Sequence, residues 1–326
     1  SPSADTADMK LSACALVLAV VLLPAGCSEV RPLAIKLPEG SVPQYVRVKP
    51  APNGRIVRVT LQDYVRAAIL SEFAPPSGDS ADIEHMLEVQ AVIARTYATA
   101  HIGRHEREGY DLCSTTHCQL YQPSRLKSSS WAPLAEHASA HTAGMALWYG
   151  NGPASALFHA DCGGHTSAAV DIWGGTARPY LKAAVDDGAA QSAHTTWKYE
   201  AARAQLTAAL NTDTRTRVGK ELREIKVAQR DDGGRAVLIA LKGTRDLTVR
   251  GEDLRTVLTN TFGAKSIRSA RFEVSRQGAR FVFTGKGYGH GVGLCQAGAY
   301  ARLRAGALPE QVLARYYPGT RLIASP

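Results

Sequence analysis

Gly285-Lys286-Gly287-Tyr288-Gly289-His290-Gly291-Val292-Gly293-Leu294-Cys295-Gln296-Ala297-Gly298-Ala299 alternates glycine with Lys, Tyr, His and Val and then closes on a Gln. The stretch follows Arg280-Phe281-Val282-Phe283, which has strand character, and runs into Ala297–Leu303, which reads as a helix start. Glycine has no Cβ, so its backbone takes φ > 0 and a ligand can come close. A lone His held among glycines is therefore a candidate active-site group. The competing reading is a β-bulge or tight strand-to-helix turn with an incidental His.

Working outward, the chain has 326 residues, 45% hydrophobic and 21% charged, which suits a globular protein with a sizeable core. The net charge of +9 favours an anionic partner, such as an acidic wall polymer or membrane headgroups, although solubility alone would also account for it. There is no concentrated Lys/Arg run and no nucleic-acid motif, so nucleic acid is not expected as a partner.

Met9-Lys10 precedes the apolar run Leu11–Leu23 and then Pro24-Ala25-Gly26-Cys27. This reads as a signal peptide, too short for a stable anchor. The small residues before Cys27 resemble a lipoprotein processing site, with Cys27 as the lipidated residue and plain secretion as the alternative. Residues 1–27 are thus read as upstream residues and leader, 28–55 as a tether with an early strand, and 56–326 as the folded domain. The expected location is outside the cytoplasm, with membrane attachment only through the N-terminal lipid, and disulfides are permitted there. Cys113, Cys118, Cys162 and Cys295 remain after the leader, and four cysteines allow three full pairings.

The periodicity predicts a strand at residues 55–59 and a helix over Leu61–Phe73 with Thr60 as N-cap, stopped by Pro75-Pro76. A second helix spans about Asp82–Ile102, and the Pro-rich link lets the two pack as a hairpin. Further on the pattern predicts a short helix over Ala138–Met145, a hairpin around Asn151-Gly152, a helical stretch over Trp197–Asn211, and strands between Ile225 and Val249. Helices at Gly251–Phe262 and Glu310–Tyr316 and a strand near Arg271–Val274 complete the pattern. The expected fold is α+β: a single mixed domain with a helical hairpin and strands flanking a cleft.

Glu72 sits at a predicted helix C-terminus, where orphan carbonyls disfavour a carboxylate. An acid so placed tends towards a raised pKa, which suits a proton donor, although a solvated surface Glu is the bland alternative. Cys113, His117 and Cys118 fall within six residues, with His105 eight before, and His159, Cys162 and His165 form a second group. Zinc favours such ligands. A Cys113–Cys118 or Cys118–Cys162 disulfide competes with it, as do reduced, packed thiols. No G-x-S-x-G elbow is present, and His290 lies too close to Cys295 in one loop for an ordinary thiol catalytic pair.

Several stretches together resemble the SpoIID/LytB (stage II sporulation protein D) family of cell-wall proteins: Leu61–Val65 with Ser71-Glu72-Phe73, Val89–Ala98, Tyr110-Asp111-Leu112 with Gln119-Leu120-Tyr121, His159–Thr166, Trp173-Gly174 with Pro179-Tyr180-Leu181, residues 285–299, and Tyr316–Thr320. They keep their order over roughly residues 56 to 322. The resemblance implies a peptidoglycan lytic transglycosylase acting on denuded glycan strands, with Glu72 as catalytic acid and the cleft as a glycan site. Residue type and motif position then suggest Arg95, Lys286 and His290 as glycan-holding groups. Tyr97, Tyr121 and Tyr288 would stack on sugars, and Gln119, Gly163, Gly164 and Gln296 would line the substrate. The glycine-rich loop becomes one wall of the cleft, with His290 a contact or brace. Some members are similar to amidase enhancers, so the alternative that the resemblance implies is a non-catalytic, peptidoglycan-binding enhancer of a wall amidase. It implies no required cofactor, but some members carry zinc at the loop matching Cys113, His117 and Cys118.

Overall fold

The computed structural model describes residues 40–51, 53–188 and 196–325. The leader and the lipidation reading of Cys27 lie outside the described residues. The described residues all belong to one compact unit.

Strand β1 (Tyr45–Lys49) pairs antiparallel with β2 (Val57–Thr60) and parallel with β3 (Leu112–Cys113). The early strand expected in the tether is thus built into the first sheet, and the folded part begins before residue 56. Helix α1 (Leu61–Glu72) starts where Thr60 turns extended, and its side chain accepts from Asp63 N at 3.0 Å. Helix α2 (Ser80–Ala100) is capped by Asp79 and is buried along most of its length, from Ile83 to Thr99. A helix apolar on nearly every side belongs at the centre of a core. Packed against α2 are α1, α4 (Ala132–His141), β4 (Met145–Tyr149) and two C-terminal helices. The helical hairpin is borne out. The helix expected at 138–145 lies earlier, because Pro133 suits its first turn and Gly144, at φ 71°, ends it before β4. The short α3 (Arg125–Ser128) precedes it.

The hairpin β4–β5 (Gly152–Pro153) leads through β6 (Phe158–His159) to β7 (His165–Thr166). Helix α5 (Ala169–Trp173) then connects to β8 (Ala184–Val185), which pairs with β7.

A second hydrophobic core follows, around Leu206, Leu241, Leu254 and Phe283. Its elements are β9 (Trp197–Ala202), α6 (Arg203–Leu210), β10 (Leu222–Arg230), β11 (Ala236–Gly243), β12 (Leu247–Arg250), α7 (Gly251–Phe262), β13 (Phe272–Gln277) and β14 (Arg280–Gly285). They form two three-stranded sheets, β10-β11-β12 and β13-β14-β9. The helical reading of Trp197–Asn211 is corrected: its first six residues pair with β14, from Trp197 opposite Gly285 to Ala202 opposite Arg280. Buried Trp197 and Ala201 supply the strand's inward face, and a Cβ at Gly285 would overlap the Trp197 ring. Tertiary pairing outweighs the helix-forming Ala and Glu of this segment.

The chain then returns to the first core through β15 (Leu294–Cys295), parallel to β6, followed by α8 (Gln296–Arg304), α9 (Pro309–Tyr316) and β16 (Arg321–Ala324), which pairs with β4. The α+β class stands, and the described residues bury two hydrophobic cores. Among the described residues, no helix is long and apolar enough to cross a membrane.

Thr60→Ala removes the cap of α1 and should lower stability by about 1 kcal/mol in urea unfolding, with no change in m.

Candidate active site

Glu72 is the last residue of α1, and the loop 119–125 is fastened over that helix end. Leu120 N donates to Glu72 Oε1, Gln122 N donates to Ser71 Oγ at 2.8 Å, and Arg125 Nη1 donates to Leu70 O at 3.2 Å. Two loop amides and the Arg125 guanidinium thus take up acceptors at the end of α1. Burial pushes the Glu72 carboxyl up to about 7, partly offset by the Leu120 hydrogen bond. The raised value expected from the helix end is present, but its leading cause is desolvation.

Tyr64 donates to Gln119 Oε1 at 3.0 Å, and its ring stacks on Tyr121 at 5.4 Å. From the glycine-rich segment, Gln296 Nε2 donates to Glu72 O at 3.2 Å and to Gln90 Oε1 at 3.0 Å. Residues far apart in sequence therefore meet at Glu72. The amide nitrogens of Gln90 and Gln119 are buried without a hydrogen-bond partner among the described residues. Such donors are costly to leave unpaired in a core.

Other expected glycan contacts lie elsewhere. Arg95 is 1% exposed, and its guanidinium donates to Met145 O, Gln62 Oε1 and Ser139 O. It ties α2 to α1, α4 and β4 instead of facing a sugar. Tyr97 is 4% exposed with its ring stacked on His101 at 4.1 Å, and one face of Tyr121 is covered by Tyr64, so neither presents the open ring expected for stacking. Lys286 is exposed on a groove of about 810 Å³ that it shares with Trp197, Arg230, Arg271 and Phe272 of the second core.

The glycine-rich loop is knitted to the segment after β6. Tyr288 N donates to Asp161 O at 2.7 Å, Asp161 N donates to Tyr288 O at 3.0 Å, and Ser167 N donates to Gly291 O at 2.8 Å. Gly163 packs on the backbone of Lys286 and Gly287, while Gly164 has more space around it. Gly291 lies against the buried Arg235 guanidinium, which leaves no room for a Cβ. Arg235 Nε donates to Ser167 Oγ at 3.1 Å and Nη1 donates to Gly289 O at 3.2 Å. His290 packs between His159 and Trp173, with ring centroids at 5.5 Å and 5.1 Å, and its Nδ1 accepts from Val292 N. Burial lowers its pKa to about 4, so the ring is neutral at neutral pH and does not supply the positive charge expected of it.

His105, Cys113, His117 and Cys118 bring four ligand atoms within 4.8 Å of one another. Cys118 Sγ lies 3.3 Å from His105 Nε2 and 3.6 Å from His117 Nδ1, and Cys113 Sγ lies 3.6 Å from His117 Nδ1. A tetrahedral zinc site with ordinary bond lengths has ligand–ligand edges of about 3.5 Å, so this donor set fits zinc. Burial pushes the Cys118 thiol up to about 12. At Cys113 burial also opposes ionisation, but hydrogen bonds from Thr115 and Cys118 outweigh it and lower the pKa. His165 stands apart from the second predicted group; His159 and Cys162 are joined there by Cys295.

The sequence reading did not assign Tyr64, Arg235 or the Leu120 amide to the site. Tyr64 looked like an ordinary core position, and a backbone donor has no side-chain signature.

Residues 53–149 match a family model described as stage II sporulation protein, and residues 189–293, which span most of the second core, match a domain of unknown function. An uncharacterised protein of Brachyspira hyodysenteriae is 29% identical over 268 residues, covering 81% of this chain and 67% of that protein. Stage II sporulation protein D of Bacillus subtilis is 26% identical over 283 residues, covering 83% and 76%. The amidase enhancer of Bacillus subtilis is 28% identical over 283 residues, covering 72% of this chain and 37% of its own length.

Because the folded Glu72 pKa is raised from 4.5 to about 7, its contribution is most favourable below pH 4.5 and is lost as pH rises to 7. Glu72→Gln should therefore stabilise the protein at pH 8, by at most about 3 kcal/mol, and change little at pH 4. Thermal melts at both pH values check this. Arg95→Leu should cost about 2 kcal/mol in urea by stranding buried carbonyls, whereas a sugar-holding role would leave stability intact.

Proposed function

The chain belongs to the SpoIID/LytB family of cell-wall proteins, and from that premise we propose that it is a lytic transglycosylase of peptidoglycan glycan strands with Glu72 as its acid and base. A peptidoglycan-related role outside the cytoplasm accompanies the family. The reaction, the preference for denuded strands and a lipid anchor at Cys27 are the proposal's own content. The observation that carries it is a carboxyl at about pKa 7, held by a single backbone amide at a helix end.

At neutral pH a substantial fraction of Glu72 is protonated, which is the condition for a general acid. Glu72 donates its proton to the glycosidic oxygen between MurNAc and GlcNAc as the C1–O bond breaks. The 6-hydroxyl of the same MurNAc attacks C1, and its proton passes to the Glu72 carboxylate. One bond breaks, one forms, and the acid is regenerated without water. A single carboxyl therefore suffices where hydrolysis usually uses two. The Leu120 amide orients the carboxylate while Gln296 holds the end of α1 from the other side.

Zinc at His105, Cys113, His117 and Cys118 is part of the same reading. A closed site of this kind supplies rigidity, and here it would anchor the chain immediately before Gln119 and Leu120. Its role is structural, with no catalytic step assigned to it. The similarity to an amidase enhancer favours a second reading, in which the chain binds strands and stimulates a wall amidase without cleaving glycan.

Incubation with peptide-free glycan strands should yield 1,6-anhydro-MurNAc ends detectable by mass spectrometry. Glu72→Gln should lower the rate by about 10²–10⁴-fold, and wild-type kcat/KM should fall above about pH 7. Undiminished products from Glu72→Gln would sink the assignment, and strand binding without products favours the enhancer. Cys118→Ser should lose one zinc equivalent and make the loop 113–125 more sensitive to protease. Unchanged metal content would remove zinc from this site.

A further inference from the structure

We propose that Cys162, Cys295 and His159 form a second, fully enclosed zinc-class metal site that ties together the two ends of the inserted second core. The two sulfurs and a ring nitrogen of His159 lie within 4.8 Å of one another, and all three residues are buried. Three features of their surroundings fit a metal.

The sulfurs receive backbone donors. Cys295 Sγ accepts from Cys162 N at 3.2 Å and from Gly298 N at 3.4 Å, and Cys162 Sγ accepts from Gly164 N at 3.3 Å. Backbone N–H groups directed at a sulfur are outer-shell partners of the kind that orient metal ligands. His159 is also preset as a ligand. Its Nδ1 faces the Val292 carbonyl at 3.2 Å and therefore carries the proton, which leaves the lone pair on Nε2. That atom is buried and has no hydrogen-bond partner among the described residues. Finally, a carboxylate stands beside the group. Asp186 Oδ2 lies 3.5 Å from Cys162 Sγ, about a tetrahedral edge, and Asp186 is held by Tyr316 Oη at 2.6 Å and Arg302 Nη2 at 2.9 Å. Asp186 thus stands next to Cys162 at the edge of the group, outside the cluster of the three ligand atoms.

Binding a divalent ion would release two thiol protons to solvent and leave the two thiolates neutralised by the metal. A disulfide between the same sulfurs would leave the His159 lone pair unanswered. Position gives the site its purpose. The second core lies in sequence between Cys162 and Cys295, and the peptide bonds next to them carry the diglycine turn and Gln296. Metal here would hold the glycine-rich loop against the segment after β6 independently of whether the protein cleaves glycan.

The test is metal content and cobalt spectroscopy on the processed chain purified without chelator. Cys113→Ser/Cys118→Ser, which abolishes the thiols of the first cluster, should still hold one metal per chain. Its cobalt-substituted form should show thiolate-to-cobalt charge transfer in the near ultraviolet. Cys295→Ser should hold one equivalent fewer than wild type. The proposal is overturned by a double variant with native circular dichroism and no bound metal, by Cys295→Ser with wild-type metal content, or by a Cys162–Cys295 linked peptide in a wild-type chain lighter by two hydrogens. Because Cys295→Ser is compared only with wild type, failure of the first zinc site leaves the reading intact.

Discussion

The hydrogen bond from the Leu120 amide to the Glu72 carboxylate is the contact on which the arrangement of this molecule turns. It joins the end of α1 to a loop almost fifty residues later, and that loop is held on both sides. Upstream sit His105, Cys113, His117 and Cys118, and downstream Gln122 and Arg125 bond the last turn of α1. A carboxylate with one backbone donor in a desolvated position is neither solvated enough to be strongly acidic nor paired with a cation. Its raised pKa follows from that balance.

Glu72 also depends on the far end of the chain. Gln296 reaches both the Glu72 carbonyl and Gln90, so α1, α2 and α8 share one polar node in an otherwise apolar layer. Buried polar nodes of this kind are tolerated only when their members are positioned by packing from several sides. Here α2 provides that packing, because it is buried along nearly all of its length.

The second core enters this scheme as a brace. Arg235 at its edge bonds Ser167 and the Gly289 carbonyl, and Arg271 donates to the Gly163 carbonyl. The glycines between Lys286 and Leu294 let backbones and a buried guanidinium approach closely, which is a packing use of missing Cβ atoms. His290, neutral and flanked by aromatic rings, belongs to that packed region.

Local pattern determined much of the chain. The Thr60 cap, the α1–α2 pair, the strands between Ile225 and Val249, the helix Gly251–Phe262 and the place of Glu72 at the end of α1 were all legible, because periodicity, capping and proline breaks act over a few residues. The site's membership was only partly legible. Arg95 and Tyr97 share a helix with Gln90, yet only Gln90 meets the glycine-rich segment; which face of a nearly all-buried helix meets which neighbour depends on packing. Trp197–Ala202 became a strand because β14, some eighty residues on, offered a partner. The cause of the Glu72 shift, the orientation of His159 and the meeting of Cys162 with Cys295 likewise came from tertiary structure, since desolvation and long-range proximity are properties of the folded surroundings rather than of residue type.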